Sequence, residues 1–414
     1  MNKYRFEYFA SCPTGLEEVL SEEILSFGVK DTTIVRGGVK FEAYHEIALK
    51  VLLYSRIASR VFKYLYDMEA SHEKDLYHEA TEIKWKSLLD VHQTFKITTI
   101  YGDLPRDREF FTNSQFTTLK LKDAIVDYFR HYEKERPSVS KDAADIQFLL
   151  RIEFDEEGAR PYRAILLYDL CGEPLNQRGY RVASTEAPVK ENLAAGILKL
   201  IKWDPKTENF LDAMTGSGTF SVEACLIAAD IPPSYLKVEQ YRKNPGLRSW
   251  CFVNTQWFKK DEKLKENFEL LLKEIETKTR EGLKKLEKSP VRFLANDISK
   301  YTLESTLANF KKARLDKIIE VSNEDALDSA PVEGKNYFFV NPPYGERLNP
   351  GEIEKLKELY KNLGDLWKKQ FKGHRAALLV GEMDLLKSVG LRTKKRHILF
   401  NGDIECRLAE YDLF

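Results

Sequence analysis

The chain is poor in the residues that build redox, metal and membrane chemistry. Its five cysteines, Cys12, Cys171, Cys225, Cys251 and Cys406, are scattered, with no Cys-x-x-Cys and no Cys/His metal spacing. That pattern excludes a disulfide framework and reads as reduced thiols in a cytosolic protein. Charge of one sign is missing too, because 65 Lys and Arg balance 65 Asp and Glu. No global field draws the chain to nucleic acid, so any basic surface must be local. No uninterrupted apolar run approaches membrane-spanning length, and the start, Met1-Asn2-Lys3-Tyr4-Arg5-Phe6-Glu7, lacks a signal-peptide stretch. The expectation is a cytoplasmic protein with no membrane and no metal.

What remains is a well-stocked globular chain. Its 414 residues, 43% hydrophobic and 31% charged, exceed one ordinary core, so two or three domains are expected. The stretch with most chemistry is Tyr337-Phe338-Phe339-Val340-Asn341-Pro342-Pro343-Tyr344-Gly345. Its apolar run reads as a buried strand, which Pro342 and Pro343 cannot prolong because they donate no ladder hydrogen bonds. Asn341 therefore stands at a strand's carboxyl end, where open α/β sheets bind ligands. Its side-chain carbonyl and the backbone carbonyl before Pro343 are two acceptors suited to an exocyclic amine. Tyr344 offers a face on which a base can stack. As an ordinary feature, the same tetrad is an Asx-type turn beside a core tyrosine.

Upstream, Asn209-Phe210-Leu211-Asp212 reads as a strand ending on a carboxylate. It runs into Ala213-Met214-Thr215-Gly216-Ser217-Gly218-Thr219 and a helix through Ala229. Strand, glycine loop and helix present backbone N–H groups to a polar ligand, and Gly216 and Gly218 let the chain approach closely. The loop lacks the Walker lysine and a full G-x-G-x-x-G, which argues against phosphate-loop NTPases and ordinary dinucleotide binding. Strands at 291–295 and 318–321 end near Asp297 and Asp325. The first suits a pair of ribose hydroxyls and the second an adenine amino group. Each acidic residue alone also reads as a helix cap.

The rest orders itself around these strands. Strand, helix, strand, helix over the first sixty residues makes a small α+β module. A second unit runs to about Asp169, with strands at 95–100, 148–154 and 162–170, a helix at 114–131, and no clustered His, Cys or paired carboxylates. Pro188 sits in the first turn of a helix at 189–201. Beyond Asn341 come a helix at 352–369, strands at 376–380 and 391–400, an Asn401-Gly402 hairpin turn and a returning strand at 404–411. The last strand is therefore antiparallel. An insertion at about 232–290 contains, from Lys259 to Lys288, a charged surface helix pair with Leu264, Phe268, Leu271 and Ile275 as its packing stripe.

These pieces resemble a known family of bacterial class I methyltransferases. The likeness rests on Pro13-Thr14-Gly15-Leu16-Glu17, Asn113-Ser114-Gln115, Gly172-Glu173-Pro174-Leu175, Arg178-Gly179-Tyr180-Arg181, Ala187-Pro188-Val189-Lys190-Glu191, Asp212 to Thr219, and Asn341-Pro342-Pro343-Tyr344-Gly345-Glu346-Arg347-Leu348. It covers nearly the whole chain. The resemblance implies a ferredoxin-like module at 1–62, a THUMP RNA-binding domain at 63–170 and a methyltransferase domain at 171–414. The fold class implied is α/β, with a Rossmann-like mixed seven-stranded sheet whose last strand is antiparallel.

The resemblance also implies S-adenosylmethionine as cofactor, held by Asp212, Thr215, Gly216, Gly218, Thr219, Asp297, Ile298, Asp325, Ala326 and Asn341. Asn341, Pro342, Pro343 and Tyr344 would hold the target amine, and Arg178, Arg181, Tyr344 and Arg347 the substrate. Ala213 and Thr215 depart from the proline and cysteine common in the family, but a backbone cradle needs neither side chain. The closest likeness within the family is to guanine-N2 methyltransferases of large-subunit ribosomal RNA. A transfer-RNA guanine-N2 methyltransferase, an adenine-N6 DNA methyltransferase and an idle RNA-binding factor are the alternatives. The tetrad itself does not separate the first three.

Overall fold

In a computed structural model, residues 5–142, 144–183, 188–245, 250–342, 350–381 and 383–414 are described. The N-terminal half carries strands β1 (Phe6–Ser11), β2 (Thr32–Val35), β3 (Gly38–Ala43), β4 (Arg60–Ala70), β5 (Thr94–Tyr101), β6 (Ser138–Val139), β7 (Ile146–Phe154) and β8 (Tyr162–Asp169). Its helices are α1 (Glu17–Ser26), α2 (His45–Tyr54), α3 (Glu73–Thr81) and α4 (Ser114–Tyr132). All eight strands form one sheet in the order β2-β3-β1-β4-β8-β7-β5-β6.

The strand that fuses the two expected N-terminal units is β4. It pairs with β1 through Arg60 to Lys63 and with β8 through Phe62 to Ala70, so position 62/63 falls inside a strand. Its register shifts between Tyr64 and Tyr66, which breaks the apolar alternation and hides the strand in the sequence. Helix α3 is hidden for another reason: it buries only Leu76 and Ala80, too thin a stripe to read.

The C-terminal half carries α5 (Glu191–Leu200), β9 (Glu208–Asp212), α6 (Thr219–Ala228), α7 (Tyr235–Lys243), α8 (Gln256–Lys260) and α9 (Glu262–Leu286). It continues with β10 (Phe293–Asn296), α10 (Lys300–Ala313), β11 (Ile319–Ser322), β12 (Lys335–Val340), α11 (Pro350–Gln370), β13 (Arg375–Val380), β14 (Lys395–Asn401) and β15 (Ile404–Asp412). The sheet order is β11-β10-β9-β12-β13-β15-β14, with β15 antiparallel to both its neighbours. Strand order reverses between β9 and β12, the switch point where such sheets open a crevice. Strand β12 is sandwiched between layers: Phe338 meets Phe371 at 4.8 Å on one face, and Phe339 meets Phe220 at 4.2 Å on the other. Both rings are fully buried, each contributing roughly 1.5–3 kcal/mol.

Three expectations are corrected. The charged stretch at 259–288 is not a helix pair but one 25-residue helix, α9, behind the short α8, and its stripe turns on Leu272 while Leu271 is only partly buried. The hairpin loop is Gly402-Asp403, because Asn401 pairs with Ile404 and positive φ occurs only at Gly402. Helix α5 starts at Glu191, leaving Pro188 ahead of its cap.

The halves are locked together by Glu23 of α1, which accepts hydrogen bonds from Ser55 Oγ (2.5 Å), the Arg56 N–H (3.1 Å) and Lys199 Nζ (2.8 Å). Leu16 lies so close to α5 that a Cβ on Gly196 would stand 2.3 Å from its Cδ1. Among the described residues, no helix is long and apolar enough to cross a membrane.

Candidate functional site

The sheet register brings the two key strand ends side by side. Phe339 of β12 pairs with Asp212 of β9, and the Ala213 N–H donates to the Phe339 carbonyl at 3.0 Å. Asp212 is 1% exposed, and its Oδ2 accepts from Thr215 Oγ1 (2.9 Å) and Ser221 Oγ (2.7 Å). Its Oδ1 is buried without a partner among the described residues. Burial drives the Asp212 carboxyl up to about 6, the two hydroxyls hold it down in part, and the neighbouring Asp297 carboxylate adds to the rise.

The glycine loop turns through positive φ at Gly216 (+55°) and Gly218 (+82°), and Gly218 caps α6. The two glycines differ in purpose. A Cβ on Gly218 would stand 2.4 Å from Phe310 Cε1, so this glycine permits α10 to pack close. Around Gly216 nothing lies within 4 Å of where a Cβ would be, so this glycine faces open space. Its N–H donates to Asp297 Oδ2 at 3.1 Å, while Asp297 Oδ1 accepts from the Ser299 N–H at 3.0 Å. Beside it Ile298 is 70% exposed, an apolar side chain with no protein cover. Asp325 caps a single turn of 3₁₀ helix at Ala326–Asp328, accepting from the Leu327 N–H at 2.9 Å through Oδ1. Ala326 is buried beneath it.

At the end of β12, Asn341 Oδ1 is buried and has no hydrogen-bond partner among the described residues. Pro342 is buried, whereas Pro343, Tyr344 and Arg347 lie outside the described residues. A buried amide oxygen left unpaired costs roughly 1–3 kcal/mol, so a site that keeps two such acceptors, here and on Asp212, is built to receive donors.

One expected contact is corrected. Arg178, expected against substrate, is a core residue 2% exposed: it donates to the Leu175 and Arg56 carbonyls at 2.7 and 2.5 Å and lies 3.7 Å from Glu223. A guanidinium enclosed in this way ties the halves together and offers no face to a substrate. Arg181, partly exposed, and Thr219 are hydrogen-bonded to each other. Arg181 donates to Thr219 Oγ1 (3.0 Å), Ser217 Oγ (3.2 Å), the Val189 carbonyl (2.9 Å) and Glu191 (3.0 Å), bracing the glycine loop from behind.

With this geometry in view, three family profiles match the chain. The RlmL ferredoxin-like domain matches residues 7–62, the THUMP domain residues 70–156, and the RMKL-like methyltransferase domain residues 178–410. The chain belongs to the RMKL-like methyltransferase family. Ribosomal RNA large subunit methyltransferase K/L of Shewanella baltica strain OS155 is 34% identical over 406 residues, covering 98% of this chain and 53% of that protein. The chain spans about half the length of the curated relatives it matches. SMU.472, solved in complex with SAH, shares 24% identity and a TM-score of 0.76, covering 99% of this chain and 98% of that one. A Clostridium difficile 630 protein shares 22% identity and a TM-score of 0.80, covering 99% of both chains. At such identities these two structures show the three-domain fold.

In this RMKL-like chain, several supporting residues escaped sequence reasoning. Thr306 Oγ1 donates to the Gly216 carbonyl at 2.5 Å, and Asn309 Nδ2 to the Ser217 carbonyl at 3.0 Å, so α10 holds the loop's shape. Asn296 Oδ1 accepts from the Glu324 N–H at 2.9 Å and fixes the turn leading to Asp325. Thr306 and Asn309, both fully buried, sit one turn apart on a helix. Two polar residues spaced i, i+3 within an apolar stripe were the available signal.

Proposed function

We propose that this chain transfers a methyl group from S-adenosylmethionine to the exocyclic N2 of a guanine in 23S ribosomal RNA. The observation that carries the reading is the buried Asn341 Oδ1, without a partner among the described residues, at the carboxyl end of β12 beside Asp212 and the glycine loop. Support for a ribosomal substrate comes from the relatives' name and from the THUMP span, and support for guanine N2 from the resemblance of the tetrad and its surroundings.

The residues present fit the cofactor. The space over Gly216 would admit it, Asp212 Oδ1, without a partner among the described residues, would accept from its amino end, Asp297 would offer lone pairs to a ribose, and exposed Ile298 would give it an apolar surface. Bound there, S-adenosylmethionine supplies a methyl already activated by its sulfonium. The chain's own part is then position and charge. Asn341 Oδ1, with the backbone carbonyl before Pro343, accepts the amine's N–H bonds, aims its lone pair and stabilises the positive charge that nitrogen acquires. Orientation of this kind contributes roughly 7–11 kcal/mol. The proton leaves after the new N–C bond has formed, when the nitrogen is acidic, so no strong base is required. A paired guanine must first leave its stack at a cost of a few kcal/mol, and the N-terminal domains hold the RNA by shape and phosphates.

The test is to incubate the protein with radiolabelled S-adenosylmethionine and separate pools of ribosomal RNA, transfer RNA and DNA, then identify the labelled nucleoside. Label in N2-methylguanosine of large-subunit RNA supports the reading. Label in transfer RNA or in N6-methyladenine of DNA overturns the substrate while keeping the site, and absence of label together with failure to bind SAH overturns both.

A further inference from the structure

We infer that residues 251–257 of the insertion are a latch that fixes the THUMP span relative to the active site, and so determines which nucleotide of a bound RNA reaches Asn341. The inference rests on the function proposed above for its substrate, and on the following geometry for the latch itself.

Among the described residues, Cys251 and Asn254 carry the hydrogen bonds that join the THUMP span, 70–156, to the methyltransferase span, 178–410. Gln93 Nε2 donates to the Asn254 carbonyl (2.8 Å), Asn254 Nδ2 to the Asp145 carbonyl (3.2 Å), and Cys251 Sγ to the Ala144 carbonyl (3.7 Å). Three residues further on, Trp257 stacks on His45 with ring centroids 4.2 Å apart, and Phe6 covers the other face of His45 at 4.2 Å. Lys63, itself buried, places Nζ 4.1 Å from the Phe6 ring and 5.0 Å from the Trp257 ring. One short segment thus grips the N-terminal half twice, once at each end.

Both ends of the insertion are anchored in the catalytic half. Tyr235 Oη donates to the Ala313 carbonyl at the end of α10 (3.0 Å), and Lys285 Nζ to the Ala228 carbonyl at the end of α6 (2.8 Å). A Cβ on Gly282 would stand 2.4 Å from Ile231 Cγ1, so α9 is seated tightly beside α6. Helices α6 and α10 are the two that shape the glycine loop. The chain of contacts therefore runs from Gln93 and Asp145, through 251–257 and α9, to the helices bordering the site. Selection of one guanine depends on that span, because misplacement by about 1 Å costs on the order of 100-fold in rate.

The test compares the full chain with Gln93→Ala/Asn254→Ala and, separately, Trp257→Ala. Three readouts are taken: SAH affinity, the ratio of methylation at the main position of large-subunit RNA to neighbouring guanines, and a distance distribution between spin labels at Lys84→Cys and Lys361→Cys. The five native cysteines are buried and do not compete for label. The latch predicts unchanged SAH affinity, a broadened distance and a selectivity ratio lowered by on the order of tenfold or more. A narrow distance and an unchanged ratio in both variants overturn it. Should the unaltered chain fail to methylate RNA, the function proposed above fails, and the distance readout still decides the latch.

Discussion

Replacing Asp212 with asparagine should make the ligand-free protein more stable at neutral pH while abolishing its capture of cofactor. The side chain is 1% exposed, and burial lifts its carboxyl to about 6 against an ordinary 3.8. At 1.36 kcal/mol per pH unit, keeping it ionised in the folded state costs about 3 kcal/mol. The sign follows from proton uptake. Between about pH 4 and 6 the folded state binds more protons at this site than the unfolded chain, so stability falls as pH rises through that window. The asparagine of the Asp212→Asn variant carries no charge, and its side-chain oxygen still accepts from Thr215 and Ser221. The stability difference between Asp212→Asn and the unaltered chain should therefore grow by about 2.4 kcal/mol from pH 4 to pH 7.5, the first part of the effect being already present at pH 4. Urea titrations of both proteins at these two pH values measure it, and taking the difference cancels other titrating groups. A difference that does not change with pH refutes the claim that Asp212 is a buried charge held for a ligand.

The two loop glycines should separate packing from binding. Gly218→Ala is expected to lose about 2–3 kcal/mol in urea melts from positive φ and the clash with Phe310, whereas Gly216→Ala should lose only about 1 kcal/mol yet cost most of the SAH affinity in titration calorimetry. Equal effects of both on stability would contradict the assigned roles. Arg178→Met should cost about 3–5 kcal/mol by stranding Glu223, seen as a lowered denaturation midpoint, and adding Glu223→Leu should recover part of it. A stable Arg178→Met variant impaired only in RNA binding would return Arg178 to the substrate.

The catalytic half was legible because its signals are local. Apolar runs that stop on polar residues at 212, 297, 325 and 341, and the glycines at 216 and 218, each declare their role within a few residues. What the sequence concealed depends on partners far along the chain. Thr306 and Asn309 act on a loop 90 residues away, and Arg178 is a joint because Arg56 and Glu223 close over it. No neighbour in sequence announces either. Strand β4 was concealed by a bulge, and the hairpin loop moved by one residue because the pairing of Asn401 with Ile404 sets the register.

The most direct test of the site is the single-turnover rate of methyl transfer to large-subunit RNA by Asn341→Ala, with SAH affinity and the melting temperature measured alongside. If Asn341 Oδ1 is the acceptor that aligns the amine, the rate falls on the order of 100-fold or more while the protein stays folded and still binds SAH. A rate within a few-fold of the unaltered protein, with binding and stability intact, would contradict the assignment of β12's end as the reacting centre.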